Sequence, residues 1–355
     1  MAIQFPENTD RWIEGDAPRS DLVVSSRARL ARNLPQFPFV PRANKEQLAA
    51  ISETLEKALR SSDYFKCFTC FELSEISSQE RKFLRESHLI SGEMEKGLDH
   101  RAVYVNDDAK TSIMVNEEDQ LRIQTMLPGL QIAEIYHRME EIEEALEAVL
   151  EFAYSAQFGY LTACPTNTGT GLRVSVMVHL VALVMTNQAE EALGSLGNLG
   201  LVVRGAYGEH SAHSGDLFQI SNEVTLGRTE ENLVEVLQNV IDQIIGREST
   251  GRELLLRQHA TKCEDVILRA IGVLSHARTI DSNEAIALLS RIRLGVNKEF
   301  GLRLTHSELN RLLIDVQPAH LVRLAQLNDS TENGDKARAA FLREKFGDGR
   351  PPNEN

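Results

Sequence analysis

The sequence predicts an α+β protein: a mixed domain with an antiparallel sheet, followed by an all-helical region. Three observations carry this. The runs RAVYVN (101–106), TSIMVN (111–116) and QLRIQTM (120–126) have β-type composition and lie close together, so they read as an antiparallel meander. From about Glu230 alternation fades and helical periodicity continues to the end. The 355 residues, 42% hydrophobic and 25% charged, match an ordinary globular composition with length for two domains.

The elements follow in order. The first forty residues read as irregular, because Pro18, Pro35, Pro38 and Pro41 interrupt any helix. ANKEQLAAISETLEKALRSS (43–62) has helical spacing of apolar residues. Ser77 and Glu80 form a capping box for a helix through Leu84. After the meander, a Glu- and Leu-rich segment predicts one long helix from about Leu130 to Phe158. LRVSVMVHL (172–180), LGLVVRGAY (199–207) and DLFQIS (216–221) read as further strands. Thr305 with Glu308, and Asp281 with Glu284, mark two helix starts in the last third. The expected layout is a mixed domain over 1–245, a helical domain over 255–345 and a flexible tail over 346–355. Its boundary is placed near Gly246–Gly251.

A net charge of −14 argues against general affinity for nucleic acid or anionic membrane. The start, MAIQFPENTDRWIEG, lacks the apolar run of an export signal. The most apolar stretch, 172–186, is too short to span a bilayer and carries Arg173 and His179. Four cysteines in so long a chain fit a reducing compartment, so a cytoplasmic location is expected. Cys67 and Cys70 form a C-x-x-C without a second pair at zinc spacing, and His210 and His213 lack a supporting element; no metal ligand is assigned.

The chemistry-bearing residues cluster in motifs. C-P-T-N-T-G-T-G-L-R (164–173) has the glycines of a phosphate loop but matches neither the P-loop nor the dinucleotide fingerprint. Arginines stand beside strands or glycine turns at Arg27, Arg29, Arg122, Arg173 and Arg204. Converging guanidinium forks would clamp a polyphosphate through charge-assisted bonds; taken singly, each reads as a solvated side chain. N-E-E-D (116–119) packs three acids, which repel unless a cation lies between them: Mg²⁺, a substrate guanidinium or a neighbouring arginine. Glu209 closes a turn with two glycines, Cys164 precedes Pro165 in a polar loop, and His88 follows a helix.

V-V-S-S-R-A-R-L-A-R-N (23–33), N-E-E-D-Q-L-R-I (116–123), C-P-T-N-T-G-T-G-L-R (164–173), R-G-A-Y-G-E (204–209) and I-S-N-E-V-T-L-G-R-T-E-E (220–231) occur in this order. Over residues 20–245 the chain therefore resembles the guanidino kinases, the ATP:guanido phosphotransferase family. Within it the chain is similar to the bacterial protein-arginine kinase (McsB) branch. S-S-R begins at Ser25, without the preceding helical domain of the metabolic phosphagen kinases, and extra sequence follows the catalytic region.

The resemblance implies a guanidino-kinase fold, an antiparallel sheet flanked by helices with a helical C-terminal domain, and the cofactors ATP and Mg²⁺. It implies that Arg27, Arg29, Arg122, Arg173 and Arg204 hold the nucleotide phosphates. Further nucleotide contacts are implied at Ser25, Ser26, Ala28, His88, Val174, Ser175, Val176, Met177, Gly205, Ala206, Tyr207 and Gly208. Glu118 and Glu209 are implied to grip the substrate guanidinium, with Glu118 as base and Cys164 beside it. The glycines of the Cys164 loop are expected to permit close backbone approach. Two positions depart from the family: Gln120 stands where the family has His, and Gly334 replaces the first arginine of the phosphoarginine-reading motif, leaving Asp335, Arg338 and Ala339. The implied activity is phosphorylation of protein arginine side chains in stress-linked quality control. The implied partners are proteins with exposed arginines, a Clp unfoldase–protease, a zinc-binding activator, a heat-shock repressor and a second copy as homodimer, without direct nucleic acid or membrane. The alternatives are a kinase of free arginine or another small guanidine, and an inactive scaffold.

Overall fold

The structure, a computed structural model, describes residues 11–14, 17–205, 214–296, 304–324 and 331–347. The elements are β1 (Val23–Arg32), α1 (Lys45–Ser61), β2 (Phe68–Glu72), α2 (Ser78–Glu86), β3 (Ala102–Asn106), β4 (Thr111–Val115), β5 (Leu121–Pro128) and α3 (Ile132–Glu147). There follow β6 (Tyr154–Ser155), β7 (Gly159–Tyr160), β8 (Leu172–His179), α4 (Val181–Met185), α5 (Ala189–Gly194), β9 (Leu201–Gly205) and β10 (Leu217–Asn222). Helices α6 (Glu230–Gln258), α7 (Ala260–His276), α8 (Ser282–Leu294), α9 (His306–Asp315), α10 (Pro318–Leu324) and α11 (Thr331–Phe346) complete the chain.

Eight strands form one antiparallel sheet in the order β2-β3-β4-β5-β1-β8-β10-β9. Period-2 alternation gives it two different faces. On one, Ala28, Leu30, Ile123, Val174, Val176 and Ile220 bury against α1, α3 and α6 through residues such as Leu55, Ile135 and Ile241. The other face is covered only at its flanks. Val103, Val105 and Met114 lie under Leu84 of α2 and the following Leu89, Ile90 and Met94. Val24, Met126 and Leu217 lie under Trp12, Ile13 and the C-terminal helices. Between the flanks runs a polar strip, and the site lies there.

The capping boxes form as read: Ser77 Oγ accepts from the Glu80 amide (3.2 Å) and Glu80 accepts from the Ser77 amide (2.7 Å). Thr305 and Glu308 do the same for α9, and Asp281 caps α8. The meander and the three later strands are also present. Two expectations change. The supposedly irregular N-terminal stretch contains β1, a ten-residue strand between β5 and β8. Its arginines obscure the alternation because they face the site instead of solvent. The long helix ends at Glu147: the Ala153 amide donates to Asn33 O (2.7 Å) and the Leu161 amide to Ala153 O (2.8 Å), so this segment pairs with the end of β1 instead of with its own preceding turn. Helix α6 passes unbroken through Gly246 and Gly251, where a Cβ on Gly251 would sit 3.2 Å from the Ala182 Cβ, a mark of close packing on α4. The expected tail falls on residues outside the described set from 348 onward.

A buried polar network ties the sheet to the C-terminal helices. The Glu248 carboxylate on α6 accepts from the amides of Ala182 and Leu183 (3.0 Å each) and pairs with Arg252 (2.7 Å). Capping the N-terminus of α4 places this carboxylate at orphan donors. Arg252 donates to His179 Nδ1 (2.7 Å), which makes Nε2 the protonated nitrogen, facing Ser290 Oγ (2.8 Å). Ser290 donates to Asp216 (2.7 Å), and Arg291 also pairs with Asp216 (3.0 Å).

Burial, then Arg252, Arg293 and Arg291, hold His179 well below its ordinary pKa; burial, then Arg293, lowers His306 to about 4. Both histidines fold neutral, whereas the unfolded chain protonates below about pH 6.5. Their contribution is therefore intact above that value and is lost as pH falls from about 6.5 towards 4. Each unprotonated histidine steepens the loss by about 1.4 kcal/mol per pH unit. Denaturant midpoints measured from pH 7 to 4.5 should fall, and His179→Gln should flatten the slope by about one proton's worth.

Candidate active site

The polar strip is built from arginines on adjacent strands. Register places Arg29 of β1 directly opposite Arg173 of β8, and Arg27 opposite Ser175. Arg122 of β5 and Arg204 of β9 complete the group from either side. Arg29 is driven well below its usual pKa by burial and then by Arg27, Arg122, Arg173 and Arg204. Arg27 is lowered to about 9 by burial, Arg122 and Arg173, partly offset by Glu117. The Nε of Arg27 and of Arg29 is buried and has no hydrogen-bond partner among the described residues. Two like charges 6 Å apart repel by about 3 kcal/mol at an effective dielectric constant of 20. A group of this kind, with unused donors, is complementary to a polyanion.

Three polar side chains aim the guanidinium groups. Glu117 is almost fully buried and pairs with Arg122 (2.7 Å), while also accepting from Ser91 Oγ (2.5 Å). Gln124 links Arg27 to the His88 carbonyl. Ser221 Oγ accepts from Arg173 Nε (3.2 Å) and Nη2 (2.9 Å).

The acids of N-E-E-D divide their tasks. Glu117 also accepts from the Glu118 amide (2.9 Å), fixing the backbone beneath the exposed Glu118 side chain. Burial, then Asp119 and Glu117, raise the Glu118 carboxyl above its ordinary range, with Arg122 and a hydrogen bond to Cys164 opposing. Asp119 is buried and accepts from Asn33 Nδ2 (2.7 Å) and the Ala163 amide (2.6 Å), so it ties the end of β1 to the chain entering the Cys164 loop. Gln120 points away from the strip: its side chain accepts from the Leu34 amide (2.8 Å) and donates to Pro38 O (3.1 Å). The departure at this position is a buried bracing contact.

Cys164 lies beside Glu118, with Sγ 3.0 Å from Thr166 Oγ1. The glycines of its loop permit close backbone approach to neighbouring segments of the chain. Gly169 (φ 120°) leaves no room for a Cβ, which would come 2.6 Å from Thr225 O. Gly171 (φ 67°) lies equally close to Ala31 O and to Arg32. Arg32 is wholly buried, bonds Glu143 of α3 (2.8 Å) and Thr170 O (2.8 Å), and stacks 3.4 Å from the Tyr160 ring centroid. A cavity of about 240 Å³ is lined by Glu117, Glu118, Asp119 and Cys164 together with Arg29, Arg122, Arg173 and Arg204.

A second, smaller and more apolar slot has Arg27 in its lining. Ser25, His88, Ser175, Met177 and Gln219 line it from the sheet side, Trp12 from the N-terminus, and Leu313 and Ile314 from α9. Trp12 meets His88 edge-on at 5.3 Å and donates to Ser87 O (3.1 Å). Other expected nucleotide contacts face elsewhere. Ala28, Val174 and Val176 point into the core, and Ser26 bonds Gly129 O (2.8 Å) and the Gln131 amide (2.9 Å). Gly205 ends β9, while Ala206, Tyr207, Gly208 and Glu209 lie outside the described residues. Arg338 is buried and donates to Val316 O (2.7 Å), Ile280 O (2.8 Å) and Asp335 (2.6 Å), and Ala339 is in the core, so neither presents a phosphoarginine-reading surface. Sequence reasoning missed Gln124, Ser221, Trp12, Leu313 and Ile314, for which no local pattern existed. It quoted Glu117 and Asp119 within their motif without separating them from Glu118.

Two family models match the chain: the ATP:guanido phosphotransferase C-terminal catalytic domain over residues 50–251, and the protein-arginine kinase McsB C-terminal domain over 260–355. The protein-arginine kinase of Moorella thermoacetica is 42% identical over 347 residues, 97% of this chain and 99% of its own. That of Geobacillus stearothermophilus is 40% identical over 344 residues, 96% and 95% of the two chains. The chain belongs to the ATP:guanido phosphotransferases, in the protein-arginine kinase branch. Among solved structures of this family, lombricine kinase shares 26% identity with a TM-score of 0.58, covering 67% of this chain and 68% of its own. The duplicated taurocyamine kinase of Schistosoma mansoni, with bound transition state analog components, shares 27% identity with a TM-score of 0.60, covering 66% of this chain and 34% of that one. Membership of this family implies ATP as the phosphoryl donor.

Asp119→Ala should release the Cys164 loop from β1 without touching the arginines. The expected outcome is a kcat about 100-fold lower, with KM for ATP within about threefold, because Glu117 still holds Arg122; steady-state kinetics decides it.

Proposed function

We propose that this chain transfers the γ-phosphate of ATP to arginine side chains of proteins. One observation supports the reading: Glu118 and Cys164 share a single cavity with Arg29, Arg122, Arg173 and Arg204, groups suited to a guanidinium and to phosphates. The protein-arginine kinase relatives, similar along nearly the whole chain, support a protein acceptor.

The acceptor is a poor nucleophile while its lone pairs are delocalised and the group is protonated. Glu118 is placed to take a proton from the attacking nitrogen. The nitrogen lone pair then forms the P–N bond, the bond to the bridging oxygen of ADP breaks, and its electrons leave with ADP. A carboxyl raised towards neutrality suits this general-base role. Arg29, Arg122, Arg173 and Arg204 stabilise charge on the moving phosphoryl group. Cys164 packs beside the carboxylate, and Glu209, by the family resemblance, takes the far side of the guanidinium. No group of three His, Cys, Asp or Glu among the described residues forms a metal cage. Mg²⁺ is proposed to arrive on the nucleotide phosphates, where it neutralises their charge.

The wider setting is also a proposal. Marked proteins are handed to a Clp unfoldase–protease in a stress response, with a zinc-binding activator, a heat-shock repressor and a second copy as partners, in the cytoplasm. Among the described residues no helix is long and apolar enough to cross a membrane.

Incubation with Mg·ATP and either an unfolded arginine-rich protein or free arginine tests the reading. Acid-labile, alkali-stable phosphate should appear on the protein; product on free arginine alone would move the enzyme to the small-guanidine branch. Glu118→Gln and Glu209→Gln should each lower transfer by about 10³-fold or more and leave ATP binding within about threefold by calorimetry. Near-normal turnover in either variant would remove that residue from the mechanism. The base works deprotonated, so kcat/KM should fall as pH drops through the Glu118 pKa. Its acidic limb should lie above the ordinary glutamate value of about 4.3.

A further inference from the structure

We infer that the two loops gripping the Cys164 loop form a docking surface for the polypeptide on either side of the target arginine. The inference rests on the protein-arginine kinase reading and adds where the rest of the acceptor chain is held.

Ten large apolar side chains are exposed among the described residues, and four of them flank this loop: Tyr154 (63%) and Phe158 (46%) on the β6–β7 hairpin, Val224 (47%) and Leu226 (49%) after β10. Both supports are firmly attached to the loop between them. The Tyr160 amide donates to Gly169 O (2.8 Å) and the Gly169 amide to Tyr160 O (3.2 Å). On the other side, the Thr225 hydroxyl bonds Thr168 O (2.7 Å) and Thr166 O (3.0 Å). Alternation explains the arrangement: Thr225 is buried as the anchor, and its neighbours Val224 and Leu226 point outward. On the hairpin, Tyr160 stacks on Arg32, and its cross-strand partner Tyr154 packs edge-on against it at 5.3 Å while staying exposed to solvent. The backbone is thus held rigid while apolar groups are displayed, an arrangement that lowers the ordering cost of binding.

Charge selects the occupant. Exposed Glu147 and Glu151 border the hairpin, and exposed Glu223 and Glu231 border the second loop. Between Glu147 and Leu172 the sequence contains no Lys or Arg, and Arg228 is the one basic residue of 222–231. Apolar side chains among carboxylates are complementary to an unfolded segment carrying arginines and apolar residues together. Tyrosine and phenylalanine faces also accept guanidinium stacking.

The test uses the full-length enzyme with two double variants, Tyr154→Ser/Phe158→Ser and Val224→Ser/Leu226→Ser. All four positions are exposed, and unchanged melting temperatures would verify folding. The acceptors are reduced, carboxymethylated lysozyme and the tripeptide acetyl-Gly-Arg-Gly-amide. Each double variant should raise KM for the protein about fivefold or more, about 1 kcal/mol. The kcat for the protein, kcat/KM for the tripeptide and KM for Mg·ATP should stay within about twofold. Unchanged protein KM in both variants would overturn the inference. So would an equal loss on the tripeptide, which would make the loops part of the chemical site. A change in sedimentation mass would overturn it too, showing the surface covered by a second copy of the chain. If the unmutated enzyme labels small guanidines but no protein, the functional reading itself has failed, an outcome distinct from these three.

Discussion

Mutual repulsion among guanidinium groups is the constraint on which this structure depends. Arg29 lies among four other arginines, partly withdrawn from water, with its Nε unused. Side chains free to move would separate. They are kept together because each springs from a strand of one antiparallel sheet, whose ladder fixes their spacing to a few ångströms. The hydrophobic packing of Ala28, Leu30, Val174 and Val176 on the opposite face supplies the stability that offsets this repulsion. A bound polyanion would complete the electrostatics instead of being added to an already neutral site.

The acids solve the reciprocal problem. Three adjacent carboxylates stay close because two of them are spent on the protein. Glu117 satisfies Arg122, Ser91 and an amide, and Asp119 satisfies Asn33 and Ala163. Glu118 is left with a raised proton affinity and a cysteine neighbour. The same four-residue motif thus delivers a buried counter-ion, an available carboxylate and a tether, and their division of labour follows from which way each side chain turns at the end of β4.

Motifs read well from sequence wherever the chemistry is local. The N-E-E-D acids, Cys164 and the five arginines were visible because charged residues beside strands and glycine turns are unusual, and the capping boxes at Ser77 and Thr305 because their partners lie three residues apart. Strand β1 was hidden by the feature that makes it functional: charged residues on a face that is neither core nor open solvent. Long-range placement was out of reach. Nothing in the neighbourhood of Ser221 announces that it meets Arg173, forty-eight positions away, and nothing in α9 marks Leu313 and Ile314 as a wall of a slot whose floor is β1 and β8. The glycines of the Cys164 loop were recognised as conformationally required, but whether they make room for a ligand or for Thr225 is decided by tertiary packing.

The chain His179, Arg252, Glu248, Ser290 and Asp216 has a consequence for how such a protein can change over generations. His179, Glu248, Ser290 and Asp216 are buried, Arg252 is partly so, and each is answered by a group from a distant stretch of chain. A recombinant joining this sheet to helices inherited from elsewhere would retain the arginine strip, Glu118 and Cys164. It would still strand an imidazole and a carboxylate in a dry interior. The helical region is therefore not a detachable accessory that selection can trade freely; it and the sheet must drift together, one compensating substitution at a time.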